Sequence, residues 1–353
     1  MSEIINNEGS ITEKAVNELV FVPRADLVRK TVCRFTGGRQ TFAVTDENVA
    51  KLHPEILPAE NVFVLPAGED SKTFATAEKI CRAMLAAGLT RKSAVVAYGG
   101  GVVGDLAGFA ASVYMRGVDF INVPTTLLSQ VDSAIGGKTG VNLDGYKNMI
   151  GSFKMPSRIV ICPEVLATLP EREWRCGMGE LIKTAALDEE LFAYVCKHGK
   201  RLVTRDMCVT ETAVAKASAF KKKITDEDPT EQNKRVILNY GHTVGHALEK
   251  CDGHRLSHGE YVMLGMQIER RMAESKRGER TAFGVQMDEL LALAGMPALP
   301  AVSAEEVTRA AKADKKNGTG QIAVIDVLRA GMWAIVQFSA ADFAAAYEKA
   351  VAQ

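Results

Sequence analysis

Neither sign of charge prevails in this chain. Its 353 residues hold 43 Lys plus Arg against 43 Asp plus Glu, so no global field would draw it to nucleic acid or an anionic membrane, and an anionic partner has to be caught locally. Long apolar runs are also missing: stretches such as AVVAYGGGVVG are broken by glycine and fall short of the roughly 20 residues a membrane helix needs. The start, MSEIINNEGS, is polar and acidic and lacks the basic and apolar parts of a secretory signal. These absences lead to the expectation of a soluble cytoplasmic protein with no nucleic-acid or membrane partner. The seven cysteines (33, 81, 162, 176, 196, 208 and 251) form no C-x-x-C pair and read as reduced and structural. There is no G-x-S-x-G elbow, no Cys in a Cys/His setting and no H-E-x-x-H, so covalent catalysis has no candidate and a metalloprotease has no support. IGGKTG is not a nucleotide-phosphate loop, because Asp132 stands where the first glycine would be.

What is present is an ordinary globular composition, 47% apolar and 24% charged, on a chain long enough for two cores. From about Phe21 to Cys162, β-rich runs (TFAVT, NVFVL, SAVVAY, FINVP, RIVIC) alternate with helical stretches such as TAEKICRAMLAAG. That alternation predicts a mainly parallel sheet covered by helices. After Pro163 helical spacing dominates, and only QIAVIDVL and MWAIVQF read as strands, paired in one late hairpin. The boundary is placed near residue 165. The fold class expected is an α/β N-terminal domain with a Rossmann-like parallel sheet (1–165) and a mostly α-helical C-terminal domain (166–353).

Within the first domain, Tyr98–Asp105 reads YGGGVVGD. Gly99, Gly101 and Gly104 fit G-x-G-x-x-G between a strand and a helix, the setting of a dinucleotide loop. The fingerprint comes late, and the acid expected about 20 residues on, at the end of the next strand, is missing; Asp119 precedes that strand. In the second domain His242, His246, His254 and His258 fall close together. His242 and His246, four apart on a helix, share a face and suit a divalent metal, the plain alternative being surface or cap histidines. Ser257-x-x-Glu260 reads as a capping box that would fix His258 at a helix start. Glu180 and Lys183 share one face of GMGELIKTAA, as a third ligand with its neighbour or as a simple ion pair. Cations flanked by Gly, Asn or Thr recur at Arg116, Lys138, Lys147–Asn148, Lys221, Arg235 and Lys315–Lys316; KKK at 221–223 taken alone reads as a solvated helix end. Dinucleotide loop, metal site and cations together suit oxidation of an alcohol beside a stabilised carbanion.

Glu69 and Lys72 in GExxK, GGGVVGDLAGF, YMRG, VPTTLLSQVDSAIGGKTGVN, KNMIGSF, GELIK, DPTEQNKRVILNYGHTVGHALE, SHGE and DKKNG resemble, in order, the motifs of the 3-dehydroquinate synthase family over roughly residues 40 to 320. The resemblance implies a nucleotide-binding α/β domain, a helical domain and an active site in the interdomain cleft. The reaction it implies converts 3-deoxy-D-arabino-heptulosonate 7-phosphate to 3-dehydroquinate and phosphate, the second step of the shikimate pathway. NAD would oxidise a ring alcohol transiently, phosphate would leave by β-elimination, the hydride would return, and the opened ring would close by an intramolecular aldol step. The cofactors implied are NAD and one divalent metal, zinc or cobalt, and the assembly a homodimer.

Carried over, the resemblance makes Glu180, His242 and His258 the metal ligands, in place of the His242–His246 pair, and makes His246 a residue that supports those ligands or contacts the substrate. Lys138, Lys147, Asn148, Lys183, Lys221, Arg235, Asn239 and Lys315 or Lys316 would contact substrate. Asp132 would lie beside the nicotinamide and metal, and Arg116 would reach across a dimer interface. NAD would be held by Gly68, Glu69, Asp70, Ser71 and Lys72, by Gly101, Val102, Val103, Gly104 and Asp105, and by Thr125, Thr126, Lys138, Lys147 and Thr168. Two departures stand out. Asn233 replaces a usual Gly, where Asn would serve if φ is positive, and Gly179 precedes Glu180 where Ala is common; both are expected to loosen local backbone. The competing readings are a sister sugar-phosphate cyclase, such as a 2-deoxy-scyllo-inosose or valiolone-type synthase, a metal-dependent glycerol or alcohol dehydrogenase, and an inactive NAD- or metal-binding regulator. The intact SQVDSAIGGKTG, the number of cations and the filled catalytic positions weigh against these in turn.

Overall fold

The computed structural model describes residues 18–144, 146–313 and 320–353. Among the described residues ten strands run in chain order: β1 Glu18–Phe21, β2 Thr41–Asp46, β3 Val62–Leu65, β4 Ala94–Gly99, β5 Asp119–Pro124, β6 Lys138–Leu143, β7 Tyr146–Phe153, β8 Arg158–Ile161, β9 Ile322–Arg329 and β10 Met332–Phe338. Six form one sheet in the order β1-β8-β5-β4-β2-β3, every pair parallel.

The period-two pattern of these runs is what buries both faces. Phe42, Val44, Val95, Ala97 and Phe120 point to one side, against α3 (Phe74–Ala86) and α4 (Gly101–Val113). Ala43, Val96, Tyr98, Ile121 and Val160 point to the other, against α1 (Ala25–Thr36) and α2 (Glu47–Leu52). From β2 the chain moves outward to β3, then returns to the far side of β2 as β4. The carboxyl ends of β2 and β4 therefore flank a topological switch point, where open α/β sheets bind ligands.

β6 and β7 form an antiparallel pair that the sequence reading did not anticipate. Their residues, KTGVNL and YKNMIGSF, show no apolar alternation; they pair because Gly140 faces Gly151 and lets the two backbones close up.

The remaining helices are α5 Glu171–Ala186, α6 Glu189–Val203, α7 Met207–Glu227, α8 His242–Cys251, α9 His258–Arg277, α10 Ala282–Leu293, α11 Ala304–Lys312 and α12 Ala340–Val351. β9 and β10 pair antiparallel, as the late hairpin predicted. A core of Val244, Leu248, Tyr261, Ile268, Val307, Val324 and Phe343 ties α8, α9, α11, α12 and this hairpin together. By backbone proximity one compact unit runs up to Leu169 and takes in Lys221–Thr230; the other comprises Pro170–Phe220 and the chain from Glu231 onward. The last turns of α7 thus belong to the first unit.

Candidate active site

In the second unit three helices meet at glycines. A Cβ on Gly179 of α5 would strike the Gly259 carbonyl of α9, and one on Gly259 would strike that of Cys176. Gly259 N–H donates to Cys176 Sγ at 3.3 Å across the same contact. Gly179 therefore does not loosen α5: its missing side chain lets α5 press on α9. On the other side of α9, Gly265 faces the Gly241 carbonyl at the start of α8 with the same closeness. The capping box is present, with Ser257 N–H donating to Glu260 Oε2 at 2.8 Å, and it starts α9 at His258.

These contacts bring Glu180, His242, His246 and His258 together. Ring nitrogens of the three histidines lie within 4.8 Å of one another. Glu180 Oε1 stands 3.5 Å from His242 Nε2 and 3.1 Å from His258 Nε2. Two ligands on one tetrahedral zinc, each about 2.0–2.1 Å from it, are about 3.4 Å apart. The separations found match that edge, so the donor set fits a single divalent ion.

The distal nitrogens are held as well. His242 Nδ1–H donates to the Tyr240 carbonyl at 3.0 Å, which leaves the Nε2 lone pair turned to Glu180. His258 Nδ1 meets Glu249 Oε2 at 3.2 Å, a carboxylate–histidine arrangement of the kind that orients metal ligands. Lys183 Nζ pairs with Glu180 Oε2 at 2.5 Å, both side chains 2% exposed.

Burial would raise the Glu180 carboxyl, but Lys183 and the two imidazoles hold it well below its ordinary range. Burial lowers His242 to about 4. It opposes the charge on His258 too, yet Glu180 and Glu249 outweigh it and push His258 up to about 10. The two carboxylates favour positive charge beside them, which Lys183 supplies at Glu180 and a protonated His258 supplies between Glu180 and Glu249.

In the first unit, α4 follows β4 directly, and its N-terminal N–H groups open at the sheet's carboxyl edge. A Cβ on Gly100 would meet Thr126 Cγ2 at 2.9 Å, and one on Gly104 would meet Asn122 Nδ2 at 3.2 Å. Val103 is buried, its side chain packed against Gly99. The Gly68–Lys72 segment lies beyond β3, its glycine at φ 109°. Lys72 Nζ pairs with Asp105 Oδ2 at 2.5 Å, and Glu69 accepts from Asn142 Nδ2 at 2.8 Å, joining this segment to α4 and to β6. Burial raises the Asp105 carboxyl and Lys72 pulls it back. Lys221 is buried and binds Asp132 twice, Nζ to Oδ2 at 2.7 Å and to the carbonyl at 2.8 Å. It is not the solvated helix end that KKK suggests by itself; Lys222 instead pairs with Asp226.

Other expected residues fall as follows. Lys138 begins β6 and Lys147 lies on β7, both exposed; Asn148, at φ 55°, donates its N–H to Asn142 Oδ1 at 2.9 Å. Thr125 N–H donates to the Gly99 carbonyl at 2.9 Å and Thr126 N–H to Ser129 Oγ at 3.1 Å. Thr168 Oγ1 is 2.7 Å from His53 Nε2. Arg116 is exposed at φ 68°. Arg235 is buried, and Asn239 Nδ2 donates to Glu231 Oε1 at 3.1 Å. Lys315 and Lys316 lie outside the described residues. Asn233 does not take the positive φ for which Asn would have served in place of Gly: its φ is −141°, and the left-handed residue nearby is Glu231, φ 59°. The sequence reading missed Glu249, although it sits seven residues after His242 and three after His246 on one helix face; that spacing could have found it.

The profile of the 3-dehydroquinate synthase N-terminal region matches residues 62–176, and that of the C-terminal region matches residues 177–317. The 3-dehydroquinate synthase of Geobacter metallireducens is 46% identical over 80% of this chain and 82% of its own length. The chain belongs to the 3-dehydroquinate synthase family. The family's synthase from Alkaliphilus metalliredigens is 39% identical over 82% of this chain and 84% of its own. Among solved structures, a 2-epi-5-epi-valiolone synthase from Streptomyces hygroscopicus, with NAD+ and Zn2+ bound, superposes with a TM-score of 0.87 at 27% identity, covering 98% of this chain and 99% of that one.

Proposed function

We propose that this chain acts as a 3-dehydroquinate synthase, turning 3-deoxy-D-arabino-heptulosonate 7-phosphate into 3-dehydroquinate and phosphate with NAD and one divalent metal. Within a family shown by chain-long kinship, the observation that carries the reading is the meeting of Glu180, His242 and His258 at tetrahedral-edge separations. These three hold the metal, with His246 beside them. When bound, NAD would supply hydride transfer from and back to the substrate and the metal a Lewis acid for its alcohol oxygen, chemistry that would make the neighbouring C–H acidic enough for phosphate to leave.

The chain's own residues supply place and charge. N–H groups of Gly101 to Asp105 at the start of α4 receive the pyrophosphate. Gly68 to Lys72, Thr125, Thr126 and Thr168 line the rest of the cofactor. Lys138, Lys147, Asn148, Lys183, Lys221, Arg235, Asn239 and Lys315 hold the phosphate and carboxylate of the substrate through charge-assisted bonds. Asp132 keeps Lys221 in place through their ion pair.

A homodimer completes the reading, with Arg116 reaching toward the partner. Its support is the number of large apolar side chains left exposed in the first unit: Phe74 and Leu85 on α3, Val113 at the end of α4, Met115 just beyond it, and Tyr146 and Phe153 on β7. Sedimentation at micromolar concentration should give twice the chain mass of 38.1 kDa. No helix among the described residues is long and apolar enough to cross a membrane, and we place the protein in the cytoplasm.

Purified protein with catalytic NAD and zinc or cobalt should release phosphate from the heptulosonate phosphate without accumulating NADH, lose this activity to chelator and regain it on metal add-back. Steady NADH formation from a simple alcohol, or turnover of glucose 6-phosphate in its place, would sink the reading.

A further inference from the structure

Helix α8 starts at Gly241, which has no side chain to cap it and whose φ of 75° turns the chain sharply just before His242. Two N–H groups at this start nevertheless find a side-chain acceptor. Glu269, fully buried in the middle of α9, accepts the Gly241 N–H on Oε2 at 3.0 Å and the Val244 N–H on Oε1 at 2.9 Å.

A cap of this kind ordinarily comes from the residue adjoining the helix. Here it comes from 28 residues away, on the helix that carries His258 at its own start. Gly265, one turn before Glu269 on the same face of α9, lets the Gly241 carbonyl come close enough for those bonds to form. One carboxyl therefore ties the first turn of α8 to α9, and His242 lies between the two N–H groups it binds.

We propose that Glu269 is a positioning residue of the metal site: by capping α8 from within α9 it holds His242 at the separation from Glu180 and His258 that a single metal ion requires. The inference rests on the ligand assignment above. A purely structural role would differ in outcome, because a folded variant would then bind metal as the wild type does.

The test uses the full-length chain with Glu269→Gln, Glu269→Asp and Glu269→Ala, titrated with Co(II) against a competing chelator, with the visible absorption of the Co(II) form as a second readout. Glutamine keeps one acceptor oxygen but turns an N–H₂ toward backbone donors, so affinity should fall about 10-fold; alanine removes both acceptors and should cost about 100-fold. Aspartate, one methylene shorter, should fall between them. The Co(II) spectrum should change shape, since ligand geometry and not only occupancy is disturbed. Wild-type affinity and spectrum in Glu269→Gln overturn the proposal, whatever melting temperature that variant has lost; should Glu269→Ala fail to fold, the Gln and Asp variants still decide. Phosphate release by the wild-type chain tests the function by itself: a chain that binds cobalt and releases none sinks that reading and leaves the measured affinity ratios, and the role of Glu269, standing.

Discussion

At Gly100 an added Cβ would press on the methyl of Thr126, at 2.9 Å, a side-chain atom; at Gly259 it would run into the backbone carbonyl of Cys176, closer still. The difference reflects two ways of building a site. On the proposed reading the loop after β4 would bind through its own N–H groups, so its requirements are local and the residues that meet them are consecutive. The cluster around Glu180 would bind through side chains from α5, α8 and α9, so its geometry is only as good as the packing of three helices. Close-packed interiors transmit such displacements instead of absorbing them.

The strongest test of that contrast removes a ligand. Glu180→Ala and His258→Ala should each lose the metal, measured by metal analysis, together with turnover, by at least about 1000-fold on the scale of transition-state charge lost. His246→Ala should keep its metal; the reverse pattern would restore the His242–His246 pairing. Next in size is the backbone comparison. Gly259→Ala should lower stability by about 1–3 kcal/mol through overpacking and weaken zinc binding as well, whereas Gly100→Ala should cost less in stability and leave zinc affinity unchanged. Equal losses of zinc affinity in both would remove the distinction between a local and a packed site.

In the first unit, Lys72→Ala strands the Asp105 carboxylate. A fully buried pair broken in this way costs about 3–5 kcal/mol, and the 19% exposure of Asp105 reduces the expectation to about 1–3 kcal/mol by denaturant titration. The smallest effect is expected at Glu249→Gln, which leaves all three ligands in place but weakens the hold on His258 Nδ1; zinc affinity should fall about 10-fold. No change there would show that the capping box alone orients His258.

Much of the fold was legible because it is written in periodicity. The runs TFAVT, SAVVAY and FINVP alternate toward two cores, and the structure places them as β2, β4 and β5 of a parallel sheet. The β6–β7 pair was not legible, since Gly140 and Gly151 qualify for it by lacking side chains, which leaves no pattern to read. Gly179 misled for the same reason: as a departure from the family it suggested slack, while its contact with Gly259 shows close packing. Asn233 was read through a φ it does not adopt.

The site divides along the same line. His242 and His246 four apart, the capping box that starts α9 at His258, and the glycines of YGGGVVGD depend on neighbours in sequence, and helix and turn geometry is enough to place them. That Glu180 meets His242 and His258, that Glu249 and the Tyr240 carbonyl take up the opposite ring nitrogens, and that Glu269 caps a helix 28 residues away were decided only in the folded chain. Local order needs only the bonds of one turn, but a ligand set drawn from three helices exists only once glycine contacts have brought their backbones together.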